Sequence, residues 1–260
     1  MKKTNKKLLA VSIIIPCYNE ESNLNRGVLQ QVYDYLSKQK YSWQVIITND
    51  ASTDNSLLLV KKFVKNHQNF EVVNLPHGGK PSAILGGLKK AKYPITLLTD
   101  MDQSTPISEI SKLLPYFKKY QVVIGSRGLG RKNTSLIRKL MTTVFLTGRR
   151  LFILASIKDT QCGFKAFQTN VLKQVFPQLS FFQQSRDKKG WTVSAYDVEM
   201  LFMLQKKGCK IKEVPVKWEN EDTSTTKGDN LARFKKESIQ MAKEVITVLV
   251  NNIKGKYKNS

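Results

Sequence analysis

The chain has 260 residues, 41% of them hydrophobic, enough to bury the core of one large domain or two small ones. Its 43 Lys and Arg against 20 Asp and Glu give a formal net charge of +23, which favours polyanionic partners: nucleic acid, an anionic membrane or phosphorylated substrates. No apolar run reaches about 18 residues, so no transmembrane helix is predicted.

The opening MKKTNKKLLAVSIIIPCYNE imitates a signal peptide, but it has no small-residue cleavage site and Pro16 follows the apolar run directly. Val11–Ile15 therefore reads as a buried first strand. Glu21 to Ser37 reads as a helix and Trp43–Thr48 as a second strand, ending in Asn49 and Asp50. Ser52–Ser56 carries an N-cap signal for a helix over Leu57 to Asn66. Phe70–Leu75 is a third strand, followed by the glycine turn His77–Lys80 and a helix from Pro81 to Ala91. Pro94–Asp100 is a fourth strand, and Thr105 with Pro106 fits an N-cap followed by proline at the first helical position. Gln121–Arg127 is a fifth strand and Lys210–Trp218 a late one, with a helix between them beginning near Tyr196. Such alternation predicts an α/β fold, a mainly parallel sheet with helices on both faces. Residues 1–220 are expected to form that domain and 221–260 a helical, basic extension.

In such sheets ligands bind beyond the carboxyl ends of the strands. Tyr18, Asn19, Glu20, Asp50, Lys80, Asp100 and Asp102 all fall there, which points to a nucleotide or sugar-nucleotide site. Asp100 and Asp102 are two apart, so on a strand they share a face and repel unless a cation joins them. Mg2+ or Mn2+ suits such oxygens together with substrate phosphates. The alternative is a solvated Asx turn introducing the next helix.

The stretches VSIIIPCYNEESNL, TNDASTDNS, HGGKPSAILGGL, LLTDMDQSTP and VIGSR together resemble the family 2 glycosyltransferases of the GT-A fold. IKDTQCGFKAF, WTVSAYDVEML and IKEVPVKWEN look like one subfamily, the dolichyl-phosphate β-glucosyltransferases and related polyprenyl-phosphate glycosyltransferases. The resemblance spans residues 10–220. It implies that Pro16, Tyr18 and Glu20 border the base and ribose of a nucleotide sugar and that Asp50 contacts the base. By the same resemblance Lys80 lies near the diphosphate, Asp100 and Asp102 position the donor, and Asp102 is the direct metal ligand. Arg127 would sit by the acceptor phosphate, and Asp197 is an acceptor-side carboxylate, a base if the acceptor is a hydroxyl. Asn49-Asp50, Gly79-Lys80-Pro81 and DMDQST depart from the usual motifs, and these departures bear on the donor rather than the reaction.

From Ile110 to Lys158 there is no acidic residue but there are eleven Lys or Arg. Within it, Ser135–Ile157 reads as a basic amphipathic helix near 135–157, with Arg138 and Arg149 on one face. It is either a membrane-interface helix or a core helix with solvated arginines. Arg127, Arg131 and Arg138 are candidates to grip an acceptor phosphate, since Arg binds phosphate in a fork. The C-terminal pattern Met241, Val245, Val248, Leu249, ending in Lys254, Lys256 and Lys258, is equally a surface anchor or a packing helix. Asp159 either orients the acceptor loop or caps a turn, and His77 either approaches phosphate or is a plain turn residue. Cys17, Cys162 and Cys209 lack zinc or redox spacing and are expected to be reduced thiols.

The expected activity is inverting, metal-dependent transfer of a sugar from a nucleotide sugar to polyprenyl phosphate. UDP-glucose is the favoured donor by the DTQCGFK resemblance, with GDP-mannose the other. The expected location is peripheral, on the cytoplasmic face of an anionic membrane. Alternatives are transfer to a polysaccharide or teichoic-acid hydroxyl, or a non-catalytic membrane-binding module. Nucleic acid is not an expected partner, because the basic segments are interleaved with aliphatic rather than aromatic residues.

Overall fold

The β-branched run at the N-terminus lies at the middle of a sheet. In a computed structural model that describes residues 9–127, 154, 157–183, 196–219 and 246–257, β1 (Ala10–Cys17) is buried along its whole length. It runs parallel to β2 (Ser42–Asp50) on one side and β4 (Ile95–Leu98) on the other, and β3 (Phe70–Leu75) continues the parallel set beyond β2. Burial on both faces is what a parallel strand requires, and it explains the unbroken apolar sequence. Ile14, Ile46 and Leu98 enter one core layer, while Ile13, Ile15, Val45 and Ile47 enter the other.

The other half of the sheet holds β5 (Val122–Ser126), β6 (Lys165–Gln168) and β7 (Ile211–Pro215), giving the order β3-β2-β1-β4-β6-β5-β7. β6 was not expected from the sequence. It slots between β4 and β5 and is antiparallel to both, so the sheet is mixed rather than purely parallel. β7 pairs parallel with β5. The late strand is shorter than the sequence pattern suggested, ending at Pro215.

Helices cover the sheet. The expected helix from Glu21 to Ser37 is broken into α1 (Glu21–Asn25) and α2 (Val28–Leu36), because Gly27 adopts φ 81°, outside the helical region. α3 (Ser56–Lys65) has Asn55 at its N-cap without a side-chain bond, and the preceding Asp54 Oδ1 accepts the Ser56 N–H at 3.0 Å in an Asx turn. α4 (Gly79–Lys90) begins two residues before Pro81, and proline in a first turn costs no hydrogen bond. After Pro106 a 3-10 turn (Ile107–Glu109) runs into α5 (Ile110–Leu113), so the helical path begins one residue later than expected, without a Thr105 side-chain cap.

α6 (Thr169–Val175), α7 (Ser180–Gln183) and α8 (Tyr196–Lys206) follow. Glu199 of α8 is buried and accepts from the Ser180 N–H, the Ser180 Oγ and the Tyr257 hydroxyl, the last at 2.8 Å. Residues 246–253 are helical, with Val248 and Asn251 buried and the Tyr257 ring 5.7 Å from that of Phe202. This end of the chain thus packs on α8. Among the described residues no helix is long and apolar enough to cross a membrane. Arg131, Arg138 and the amphipathic helix expected near 135–157 lie outside the described residues, apart from Leu154 and Ile157, which are both buried.

α4 lies close to the sheet at Gly87, where an added Cβ would fall 2.7 Å from Ile14 Cγ2 and 3.0 Å from Thr48 Cγ2. Both neighbours are fully buried and β-branched, so neither can swing away. Gly87→Val is expected to destabilise the protein by about 2 kcal/mol or more through overpacking. A urea midpoint equal to that of the parent would contradict this packing.

Candidate active site

The carboxyl edge of the sheet is assembled from interlocked loops. After β1, Asn19 takes φ 53°, and its side-chain oxygen accepts the Thr53 N–H at 2.9 Å. The Asn19 and Glu20 N–H groups donate to Ser52 Oγ and Ser56 Oγ, and that of Glu21 donates to Asp54 Oδ2. Both polar loops are therefore held by each other. Glu20 faces inward: Asn23 Nδ2 donates to its Oε2 at 2.6 Å, and Arg26 donates to Asn23 Oδ1 at 3.1 Å and to the Asp102 carbonyl at 2.6 Å. A chain of bonds thus joins the loop after β1 to that after β4. Sequence reading missed Asn23 and Arg26, since nothing local marks a bond that spans 76 residues.

Asp50 is fully buried at the end of β2. Its two oxygens accept the Gly78 and Gly79 N–H groups at 2.8 and 2.9 Å, so the carboxylate caps α4. A negative charge there complements the helix N-terminus. His77 Nδ1 lies 3.0 Å from Asp50 Oδ2, and the His77 ring sits 4.8 Å from that of Tyr18. Asn49 turns the other way, donating to Asn74 Oδ1 at 2.6 Å. His77 is therefore partnered with Asp50 and Tyr18. Pro16 is within β1, opposite Thr48.

β4 ends at Leu98, two residues short of Asp100. Asp100 and Asp102 therefore lie in a turn, closed by the Gln103 N–H on the Asp100 carbonyl at 3.3 Å with Gln103 at φ 52°. The strand alternation expected to aim both carboxylates one way does not apply. Asp100 pairs with Lys80 Nζ, while Asp102 Oδ1 accepts the Ser104 N–H at 2.9 Å, an Asx turn. Burial opposes the charged form of Lys80, yet Asp100, with Tyr196 and Asp197 beyond it, outweighs burial and raises the ammonium's pKa. A Cβ on Gly163 would land 1.9 Å from Asp100 Oδ2, so only glycine lets this turn lie against the carboxylate.

Arg127, just past β5, forks onto Asp159: Nε to Oδ2 and Nη2 to Oδ1, both at 2.8 Å. Its backbone N–H adds a third bond at 3.0 Å, and Trp218 lies 5.8 Å from the guanidinium. Asp159 in turn accepts the N–H groups of Gln161 and Cys162. Asp159 is thus both a turn cap and the partner of Arg127. Lys165, on β6, is 1% exposed and donates to Asp197 Oδ1 at 2.8 Å and to the Cys162 carbonyl at 2.6 Å. Burying an ammonium costs several kcal/mol unless it is paired, and β-strand propensity gives no hint of one. The Cys17 thiol, pushed by burial up to about 12, is inert.

Asp100, Gly163, Cys162, Lys165 and Asp197 therefore form one continuous set, with Lys80 on one side and Arg127–Asp159 on the other. Among the described residues no three His, Cys, Asp or Glu gather to cage a metal. Asp100 and Asp102 offer hard oxygen donors, the chemistry that suits Mg2+ or Mn2+ when substrate phosphates and water supply the other ligands.

Residues 12–176 match the family model described as Glycosyl transferase family 2. The chain belongs to glycosyltransferase family 2. This family 2 enzyme is 30% identical to a dolichyl-phosphate beta-glucosyltransferase of Saccharomyces cerevisiae, covering 96% of this chain and 77% of that one. It is 28% identical to one from Trichomonas vaginalis, covering 92% and 74%, and 25% identical to one from Homo sapiens, covering 95% and 77%. Among solved structures, mannosyl-3-phosphoglycerate synthase from Rubrobacter xylanophilus superimposes with TM-score 0.67 at 12% identity, covering 95% of this chain and 75% of that one. The mannosyltransferase PcManGT from Pyrobaculum calidifontis, in complex with GDP-Man and Mn2+, gives 0.61 at 16%, covering 93% and 65%. The fold of this glycosyltransferase is GT-A. Membership of the family removes the non-catalytic alternative.

Burial would push the Asp159 carboxyl up, but hydrogen bonds and charge from Arg127, with Lys165 behind, bring its pKa down to about 2 from 3.8. A lowered folded-state pKa contributes stability that is complete above 3.8 and lost as pH falls through about 2. Asp159→Asn is expected to cost about 2 kcal/mol at pH 7, with the deficit shrinking between pH about 4 and 2. Urea titrations across that range measure it, and a pH-independent deficit would contradict the assignment.

Proposed function

We propose that this glycosyltransferase moves a sugar, glucose first, from a nucleotide diphosphate sugar to a polyprenyl phosphate, with inversion, at a membrane surface. The observation that carries the reading is the joining of two charged centres, Lys80–Asp100 and Lys165–Asp197, through the Cys162–Gly163 turn. One suits the donor and the other the acceptor. The glucosyltransferase names of its relatives support glucose and a dolichyl-type lipid. A UDP-glucose and Mn2+ complex of a GT-A neighbour, glucosyl-3-phosphoglycerate synthase, fits UDP-glucose as donor, and PcManGT keeps GDP-mannose as the alternative.

In this reading Tyr18, with His77 beside it, and Pro16 and Glu20 line the base and ribose. Asp50 sets that wall through its cap on α4, and Lys80 reaches the diphosphate. Asp100 and Asp102 would hold Mg2+ or Mn2+, which when bound would supply positive charge beside the diphosphate. A phosphate monoester, with a second pKa of about 6, is largely dianionic near neutral pH and attacks without a strong base. Asp197, already partnered with the Lys165 ammonium, suits holding charge rather than abstracting a proton. Arg127 brings positive charge to the acceptor side while its fork holds the Asp159 turn, and Arg131 and Arg138 are further candidates for the acceptor phosphate.

The membrane part of the proposal is supported at the C-terminal end. Ile246, Val250 and Ile253 follow one another at i, i+4 and i+7 and are 58%, 39% and 83% exposed. Lys254 and Lys256 adjoin this stripe, a combination suited to an anionic lipid surface on its cytoplasmic face.

Incubating the protein and Mn2+ with a panel of UDP- and GDP-sugars, with and without dolichyl or undecaprenyl phosphate, tests the reaction. Transfer from UDP-glucose that requires the lipid is the expected result. No lipid-dependent transfer from any donor would overturn the reading. For the surface, the double variant Val250→Glu, Ile253→Glu is expected to lose about tenfold in binding to phosphatidylglycerol vesicles while keeping its transfer rate in detergent. Undiminished vesicle binding would remove this helix from the interface.

A further inference from the structure

Lys165 is a charged group placed where an apolar one would serve stability as well. Its side chain is 2% exposed, and its chain neighbours Phe164, Ala166 and Phe167 are all buried apolar residues. Replacing a buried ion pair by packed hydrophobic groups is often neutral or stabilising, so the pair itself is a poor reason for a lysine here. Its position supplies a better one. On β6 it lies opposite Leu98 of β4 and Ile124 of β5, at the carboxyl edge where the loop with Asp100 and the loop with Arg127 both begin.

Two fixed groups meet it, and a third lies one residue further on. The first is the Cys162 carbonyl, 2.6 Å from Nζ, whose turn is pinned at its start by Asp159 and Arg127. The second is Asp197 Oδ1 at 2.8 Å, in the first turn of α8. The third acts through Gly163, the residue after Cys162, which lies hard against the Asp100 carboxylate. An ammonium has three donors and no acceptor, so it can bind both oxygens at once and holds them at one spacing. No neutral side chain of similar reach does this with charge.

We propose that Lys165 is a positioning residue for sugar transfer, fixing Asp197 relative to the Gly163 turn and hence to Asp100. The proposal rests on the reading above that Asp100 faces the donor and Asp197 the acceptor. Lys165 touches neither substrate. It sets the distance between the groups that do.

The full chain is assayed as Lys165→Met, Asp197→Asn and the double variant, with the donor and acceptor that the wild type uses. Lys165→Met is expected to lower kcat by about 30-fold, since small misplacements in a transfer site are costly, while the nucleotide Kd measured by calorimetry stays within about twofold. The double variant is expected to be no slower than the slower single one, because both changes break one arrangement. Lys165→Arg, which keeps the charge, is expected to regain part of the rate. A Lys165→Met rate within about threefold of wild type, or losses that multiply in the double variant, would overturn the proposal. Should Lys165→Met not fold, Lys165→Gln replaces it under the same criteria. Failure of both to fold would make Lys165 a core residue only and would equally overturn it. Transfer by the wild type without any lipid phosphate would sink the acceptor reading instead, and the variants would still be scored on the acceptor actually used.

Discussion

At the carboxyl edge of one sheet, Asp50, Asp100, Asp159 and Asp197 are each matched by a donor of their own. Asp50 takes two backbone N–H groups of a helix start, with His77 alongside. Asp100 takes a lysine from the same first turn of that helix, Asp159 an arginine fork and Asp197 a buried lysine. A buried or half-buried carboxylate without a partner is costly to keep in place. The matching keeps the edge charged yet ordered, and the loops are arranged around it. α4 must start where Asp50 can cap it, and Gly87 must let that helix lie flat on the sheet for Lys80 to reach Asp100.

The antiparallel β6 is what makes the matching possible on the acceptor side. A further parallel strand would begin at the far edge of the sheet and deliver its first residues there. Running the other way, β6 starts at the carboxyl edge, so Lys165 and the Cys162–Gly163 turn arrive beside Asp100. Its short length, four residues, is enough because β4 and β5 supply the hydrogen-bond partners on both sides. The buried Lys165 is tolerated for the same reason. Its cost is offset by two oxygens held within hydrogen-bond reach by elements packed on both sides.

The first half of the fold was legible because its signals are local. β-branched runs and turn residues recur at helix and strand spacing, and the parallel set β1 to β4 follows from them. So were Asp50, Lys80, Asp100 and Asp102, which the strand ends bring to one edge. What was not legible depends on distant partners. KAFQ is too short and carries a lysine, so nothing in it announces a central strand. The role of Gly27 needs its φ of 81°, since an isolated glycine in an amphipathic pattern is often tolerated. The fork from Arg127 to Asp159 spans 32 residues, and Arg26 reaches Asp102 across 76. The glycine in QCGF was the one available hint: a glycine before an apolar run is where a backbone comes close to something, here the Asp100 carboxylate.

The charge of the whole chain and the charge of the site pull in different directions. The formal excess is +23, yet Lys80, Arg127 and Lys165 are each consumed by a carboxylate at the edge. An incoming nucleotide diphosphate adds negative charge to groups that are already balanced. The net field of the protein favours its arrival from a distance, and that field is screened beyond about 8–10 Å at physiological salt. Close in, among the described residues, Lys80, Arg127 and Lys165 are already matched, so further positive charge has to arrive with the substrate or from other segments. A divalent ion bound to the diphosphate would supply such charge while asking for only one or two protein oxygens. Electrostatic balance at the sheet edge therefore favours a donor that brings its own counter-charge, while the chain's formal excess is carried by cations elsewhere.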